Sequence, residues 1–486
     1  MKIISRILLF SVLVYSISSC KKEDDFLNDS SVKLTFSEDT ILFDTVFTTI
    51  GSTTGYLLVY NNEGKAIKIS SIRLAKGNAS SYRLNVDGSP GKSFADIEIG
   101  ANDSIWIFVE VTVDPNNQNT PFLITDSILF ETNGNLQDVD LVAYGQNATF
   151  ITPTYNLGTI QYSIIPCNGN VATWNSTLPY VIYGYAVVDS ACKLIIEAGT
   201  KIYFYQNSGL WVYRYGLLKV YGTLENPVTF QGTRLEQSYA EIPGQWDRIW
   251  INEGPGPDSN EINYAIIKNG FIGLQPEDLP PVIGENNQTL VVKNTIIKNM
   301  SGFGILARDY TINAYNTIVA NCGLFNAYLS IGGTYDFNQC TFANYWSEGQ
   351  RGTPAVYINN YYYDGTSNIA VPLNKADFKN SIVYGNIDNE IQADIISGAA
   401  GNYKFSYCLL KTDTSVHVSD LTHFDNVFTN ENPDFEDPSK NNYELQAGSF
   451  AIDKGNSSFI IPTITDKDIK GKDRTMSPDL GAYEKQ

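Results

Sequence analysis

The chain has 486 residues, 43% of them apolar and 13% aromatic, with 31 Tyr against 3 Met. Its 52 acidic side chains outnumber 33 basic ones, for a net charge of −19. That surface disfavours nucleic acid and anionic membrane, whose phosphates need clustered Lys and Arg. The six cysteines include no CxxC and no Cys/His group at zinc spacing, and no GxGxxG, P-loop or HExxH occurs.

Residues 1–19 read as a signal peptide. Lys2 and Arg6 precede an apolar core, Ile7–Ile17, that is too short to span a bilayer. The following Ile17-Ser18-Ser19-Cys20 resembles the lipobox of bacterial lipoproteins, which implies lipidation at Cys20. Lys21-Lys22-Glu23-Asp24-Asp25 resembles the acidic export tag of Bacteroidetes lipoproteins. Together these imply an outer-membrane, lipid-anchored protein facing the cell exterior, with residues 20–31 as its tether.

Residues 32–147 carry strand-like runs at the spacing of a β-sandwich: 32–36, 55–61, 66–74, 82–86, 95–99, 104–113, 123–130 and 138–144. In Ser104–Val113 the residues Ile105, Ile107, Val109, Val111 and Val113 alternate with Trp106, Phe108, Glu110 and Thr112, so one face points to a core. The order GSTTGYLLVYNN, ISSIRL, IEIGANDSIWIFVEVTVDP, LVAYGQN resembles an Ig-like domain of the ASPM/choice-of-anchor-D type, which implies a spacer or interaction module. Asp-Ser/Thr-apolar triplets at Asp39, Asp44, Asp103, Asp126 and Asp189 resemble Bacteroidetes O-glycosylation sites, although alternating strands produce such triplets unaided.

From residue 159 to 425 the pattern becomes a winding. Lys193–Thr233 holds short apolar runs (194–196, 201–204, 217–221, 228–230) closed by Gly, Pro or Asn. Segments ending at Asn269, Asn299, Asn321, Asn344 and Asn386 recur at steps that include 22 and 23 residues. Asn tolerates the left-handed backbone of a sharp corner, and stacked amides hydrogen-bond from turn to turn. LIIEAGTKIYF, LKVYGTLENPVTFQG, GQWDRIWI and the Asn-ended turns resemble the right-handed parallel β-helix of the pectate-lyase-like superfamily. The expected fold class is therefore all-β, an N-terminal Ig-like sandwich followed by a right-handed parallel β-helix. At ~4.8 Å per turn, about ten turns make a rod on the order of 50 Å long. Its open ends need covering, by the Ig-like domain or by residues 160–190.

Loops at Gly254–Asn260, Gln275–Gln288 and Ser347–Asn374 break the winding, and protruding loops are where binding surfaces usually sit. Trp346, Tyr361, Tyr362 and Tyr363 are the candidate glycan platform; packing of the loop onto the winding is the competing reading. Residues 426–486 form a closing segment. There, NPDFEDPSKNNYELQAGSFAIDKGN and DIKGKDRTMSPDLGAYE resemble the choice-of-anchor-Q tail of exported bacterial proteins. Asp453, Asp468, Arg474, Asp479 and Glu484 tie that segment together by ion pairs or hold a Ca²⁺, the first being favoured because carboxylates beside Arg need no metal. Cys167 with Cys192 is the one pair considered for a disulfide; Cys322, Cys340 and Cys408 read as small buried hydrophobes.

Catalytic residues are not identifiable. His417 and His423 lie outside any nucleophile motif, and the nearest acid–base neighbours are Asp247 with Arg248, Arg308 with Asp309, and Glu348 with Arg351. No resident cofactor or metal is implied, Ca²⁺ being left open. Two functions remain: a non-catalytic surface lipoprotein whose loops bind glycan, envelope material or a protein partner, and a lyase or hydrolase of acidic polysaccharide.

Overall fold

A computed structural model describes residues 26–254, 256, 258–278, 289–474 and 476–485. Cys20, the leader and most of the Gln275–Gln288 loop lie outside them. The chain divides into two compact units, ending and beginning at Gln146 and Asn147. Both are all-β, and the described residues contain no α-helix.

In the first unit, Thr35–Phe36, Gly55–Asn61, Asp103–Val111, Tyr82–Val86 and Ser89–Gly91 form one five-stranded sheet. Thr40–Phe47, Asn135–Gln146, Phe122–Thr132, Ile67–Leu74 and Ser93–Ile99 form the other. Only the ladder between Thr40–Phe47 and Asn135–Gln146 is parallel. Both sheets feed one hydrophobic cluster, with Leu57, Val59, Ile107 and Val109 facing Ile69, Ile72, Phe130 and Leu141. Thr40–Phe47 went unread in the sequence because Asp44 and its threonines interrupt the apolar pattern; it nevertheless buries Ile41, Phe43, Val46 and Phe47.

The second unit is wound from three sheets of eleven, ten and ten strands, parallel except where Tyr155–Leu157 meets Ile160–Ile164, consistent with a parallel β-helix. Each turn gives one strand to each. Lys193–Glu197 lies in sheet 3, Lys201–Phe204 in sheet 1 and Gly209–Val212 in sheet 2; Leu217–Tyr221 then returns beside Lys193–Glu197. Inside, apolar side chains stack on their equivalents one turn away. Phe337, Phe378, Phe405 and Phe424 form one such column, with neighbouring centroids 4.9, 4.6 and 5.7 Å apart. Near-parallel rings at this spacing pack without voids, and each adds apolar burial at about 25 cal/mol per Å².

The corner between sheets 3 and 1 is what makes stacking possible. In seven successive turns its first residue is left-handed: Tyr264, Asn294, Asn316, Gln339, Asn380, Tyr407 and Asn426, with φ between 46° and 56°. Asn dominates because its short amide eases this conformation. The amides also link the turns, Asn316 Nδ2 donating to Asn294 Oδ1 and Asn294 Nδ2 to Asn263 Oδ1, both at 3.1 Å. At the next position Thr295, Thr317 and Ser381 donate their hydroxyls to the carbonyl two residues back, at 2.7, 3.0 and 2.7 Å. Cys340 and Cys408 take that same position in their turns. Of the Asn read from the sequence, Asn269, Asn299 and Asn321 are left-handed at a second corner. Asn344 is not; its amide donates to the Cys322 carbonyl.

At the start of the winding, Ile165, Ala172 and Trp174 enter the core, and Cys167 is joined to Cys192 with Cα atoms 5.9 Å apart. At the other end Val416 and Val418 pack onto the core beside a cavity of about 210 Å³. The closing segment runs along the side of the winding. Phe435, Tyr443, Leu445, Ile469 and Leu480 cover the outer face of sheet 1 at Ile318, Ala320, Ala343, Ile382 and Leu409. It also takes hydrogen bonds from the corner amides: Asn316 to Lys467 O, Asn338 to Phe459 O and Asn380 to Asn456 O.

Asn380→Ala combines a left-handed Cβ with the loss of two buried hydrogen bonds to Asn456 and should cost about 2–4 kcal/mol in urea denaturation. Asn380→Gly, which relieves the backbone, should recover about 1 kcal/mol of that loss. Equal costs for the two would show that the corner imposes no left-handed requirement.

Candidate functional site

On sheet 2 the strands Tyr185–Val188, Gly209–Val212, Trp246–Ile251, Gly270–Pro276, Phe303–Arg308, Phe325–Ser330, Val356–Asn359 and Ile391–Asp394 lie side by side. Alternation sends Ala186, Leu210, Ile249 and Leu274 into the core. The residues between them face outward, and register aligns Val187, Trp211, Trp250 and Gln275 in one row. The indoles of Trp211 and Trp250 stack 4.7 Å apart at 13°. Tyr185 and Tyr213 meet Trp211 edge-on. Farther along the same row, past Leu306, Tyr328 stacks on Tyr357, 4.9 Å apart at 9°. These rings lie outside the core, and Trp211, 5% exposed, packs with Tyr185 and Val187 into a small outer cluster, so the ring of the indole pair that reaches solvent is the half-buried Trp250.

Polar groups lie beside the rings. Trp250 Nε1 donates to Glu277 Oε1 at 2.8 Å, and the same carboxylate accepts from Gln275 Nε2 at 2.8 Å and Arg308 at 2.9 Å. Trp246 and Ile249 are both buried, so two consecutive residues, Asp247 and Arg248, face outward together. The adjoining strand shifts register at this point, skipping Gly273, where a Cβ would stand 2.5 Å from the Gly304 carbonyl oxygen. Arg248 Nε reaches Asp247 Oδ1 at 2.9 Å, and the Tyr185 hydroxyl donates to Asp247 Oδ2. Burial, then the Asp247 charge, drives the Tyr185 hydroxyl well above the ordinary phenol range. These residues line a groove of about 710 Å³ with Tyr183, Tyr205 and Trp250, within the size range of small-molecule sites.

Where the chain leaves sheet 2, buried acids stack in consecutive turns: Glu253, Asp278 and Asp309. Arg214 neutralises Glu253 at 2.5 Å. Asp278 is 4% exposed, its Oδ1 makes no hydrogen bond, and its carboxyl is pushed up to about 7 by burial, then by Glu253 and Asp309. A protonated acid beside an ionised one is the condition under which two carboxyls take different chemical roles.

The residues expected from the sequence fall elsewhere. Trp346 follows a strand of sheet 1 and lines a cavity of about 80 Å³ with Glu241, Asn321 and Asn441. Tyr361–Tyr363 follow a strand of sheet 2 and form a hairpin with Asn368–Ala370. Tyr361 donates to Asp394 Oδ2 at 2.6 Å, as does Tyr357 at 2.9 Å, while Tyr363 is exposed. The four aromatics thus belong to two places rather than one platform, since the chain crosses from one sheet to the next between them.

Two of the three acid–base neighbours are also re-paired. Arg308 binds Glu277 instead of Asp309, and Arg351 binds Glu390 instead of Glu348, in a fully buried pair at 2.6 and 2.8 Å. His423 stacks on Tyr403 at 3.8 Å, and His417 lines the end cavity. Cys322, Cys340 and Cys408 are free and buried, with thiols pushed up to about 12 by burial, which makes them poor nucleophiles.

In the tail, Arg474 meets Glu484 at 3.0 Å and the Gly481 carbonyl at 2.9 Å. Asp468 and Asp479 accept backbone N–H groups from Lys470, Lys472, Glu484 and Asp453. Among the described residues no group of three or more His, Cys, Asp or Glu is arranged around a metal position.

No family model and no curated protein matches the chain. Among solved structures, a family 123 glycoside hydrolase from Clostridium perfringens is similar at 9% identity and TM-score 0.19, over 25% of this chain and 28% of that one. The ASH/PapD-like domain 7 of human CEP192 is similar at 9% identity and TM-score 0.18, over 27% and 96%. The periplasmic chaperone SfaE is similar at 13% identity and TM-score 0.17, over 24% and 57%. The chain spans about a quarter of the hydrolase and just over half of the chaperone. Likenesses this partial carry no argument about function.

Asp278 supplies a pH test. The folded chain keeps its proton up to about 7, whereas an ordinary carboxyl releases it near 3.8. Its contribution to stability is therefore present at low pH and is lost as pH rises from about 4 to about 7. Asp278→Asn removes that loss, so in urea melts the variant should gain on wild type between pH 5 and pH 8. A difference that stays flat across this window contradicts the raised carboxyl.

Proposed function

We propose that this chain is a lipid-anchored protein of the outer-membrane surface that binds glycan along the outer face of sheet 2. In this reading residues 32–147 are an Ig-like β-sandwich, 159–425 a right-handed parallel β-helix and 426–486 a choice-of-anchor-Q-type tail. The observation that carries the glycan reading is the stacked Trp211–Trp250 pair at the edge of the Tyr185–Asp247–Arg248 groove. Aromatic faces receive the C–H faces of sugars, while carboxylate, guanidinium and amide groups at the rim receive hydroxyls. The binding surface is then the sheet itself rather than the loops favoured by the sequence. The address rests on the Ile17–Cys20 motif; protease shaving of intact cells should release the protein, and complete survival would place it on the periplasmic face.

The test is a glycan array followed by titration of the strongest hit. Trp250→Ala and Arg248→Ala are partly exposed changes that leave the core intact, and each should weaken binding at least tenfold. Unchanged affinity in both variants removes sheet 2 as the site, and no retained glycan at all rejects the reading.

A second reading, a lyase or hydrolase of acidic polysaccharide, is favoured by Asp278, a carboxyl pushed up to about 7 in the turn next to Glu253, which pairs with Arg214. Incubation with uronate polymers and Ca²⁺, following unsaturated product and reducing ends, separates the two. Turnover that Asp278→Asn abolishes establishes the enzyme; no turnover with binding intact leaves the lectin-like function.

A further inference from the structure

We infer a second carbohydrate contact, in the first unit: an aromatic platform of Tyr56, Trp106 and Phe108 that takes a neutral glycan. The three rings are 58%, 46% and 40% exposed, although their chemistry would ordinarily bury them. They are not required by the core, because their strand neighbours Leu57, Ile107 and Val109 fill it completely. Register sets Tyr56 opposite Phe108 and Leu58 opposite Trp106, so the rings share one face of one sheet. Trp106 and Phe108 lie 6.0 Å apart with planes within 10°, and Tyr56 lies 5.4 Å from Trp106 at 55°. Two near-parallel rings with a third inclined beside them form one contiguous aromatic patch.

The surroundings choose the ligand. On the next strand Arg83 faces Glu110 and Asn85 faces Phe108. Arg83 donates to Thr112 Oγ1 at 2.7 Å, and Glu110 accepts from Thr54 Oγ1 at 2.9 Å. Arg83 and Glu110 offset one another, and Asp87, whose N–H donates to the Trp106 carbonyl, adds a negative group, so the rim offers nothing to an acidic polymer. Asn85 Oδ1, beside Phe108, is buried without a donor. An apolar occupant, whether an acyl chain or a hydrophobic helix, would bury these polar groups unpaired at a cost. A sugar pairs its C–H face with the rings and its hydroxyls with the rim.

This inference does not rest on the sheet 2 reading, and the two are separable. The full-length soluble chain is run through native gels containing neutral β-glucan, mannan or a polyuronate. Retardation is expected in a neutral gel with the sheet 2 contact disabled by Trp250→Ala, and in that background it should fall at least tenfold in apparent affinity for Trp106→Ala and for Phe108→Ser. The exposed positions keep both variants folded, which the urea midpoint checks. No retardation in any neutral gel, equal retardation of Trp250→Ala with and without Trp106→Ala, or retardation by polyuronate alone overturns the proposal. So does a Trp106-dependent dimer in sedimentation, which assigns the platform to a second copy, or Trp106-dependent retention on zwitterionic vesicles, which assigns it to lipid.

Discussion

Seven successive turns of this winding depend on one constraint: each must change direction at the same place, within two residues, without leaving a buried polar group unpaired. The corner between sheets 3 and 1 meets it with a left-handed residue followed by a small side chain that bonds back to the carbonyl two residues earlier. Once that corner repeats, the strands on either side fall into parallel register and the Phe columns inside align. The corner also accounts for Cys340 and Cys408, which stand where other turns use Thr or Ser. Their sulfurs are structural stand-ins for hydroxyls, too buried for redox or nucleophilic work.

The same regularity frees sheet 2. Because inward residues fill the core, outward positions along that sheet are released to a small cluster of Tyr185, Val187 and Trp211, to paired charges and to a groove. The sheet 1 exterior takes a different course, being covered by the tail. The acids leaving sheet 2 show what stacking does to electrostatics: like charges recur every turn, so one of them, Asp278, is held near neutrality while Arg214 compensates another.

Most of the winding was legible because Gly, Pro and Asn punctuate short β-rich runs, and all four runs in Lys193–Thr233 are strands. The sheet 2 strand Gly209–Val212 in that stretch was passed over, since its four residues lie between turn signals and show no clean alternation. Sheet 2 was hard to read for a reason: its outward Trp and Tyr look like core residues in a sequence. Trp211 and Trp250 were therefore missed as site residues, whereas Trp346 and Tyr361–Tyr363 drew notice because they sit in a long loop. The pairing of Arg308 with Glu277 was illegible, since partners one turn apart are 31 residues apart in the chain. Asp247 with Arg248 was readable only as adjacent residues on opposite faces; the irregularity that turns both outward lies partly at Gly273, on another strand.

Stacked repeats ordinarily feel only the turn above and the turn below, so they can fray from either end one layer at a time. Here the final fifty residues reach Asn316, Asn338 and Asn380 in three consecutive turns, and Thr341 beside them. A strap fastened to several layers at once makes loss of any one of them a loss for all. The layers beneath it therefore melt as a block, coupled by a segment that follows all of them in the chain.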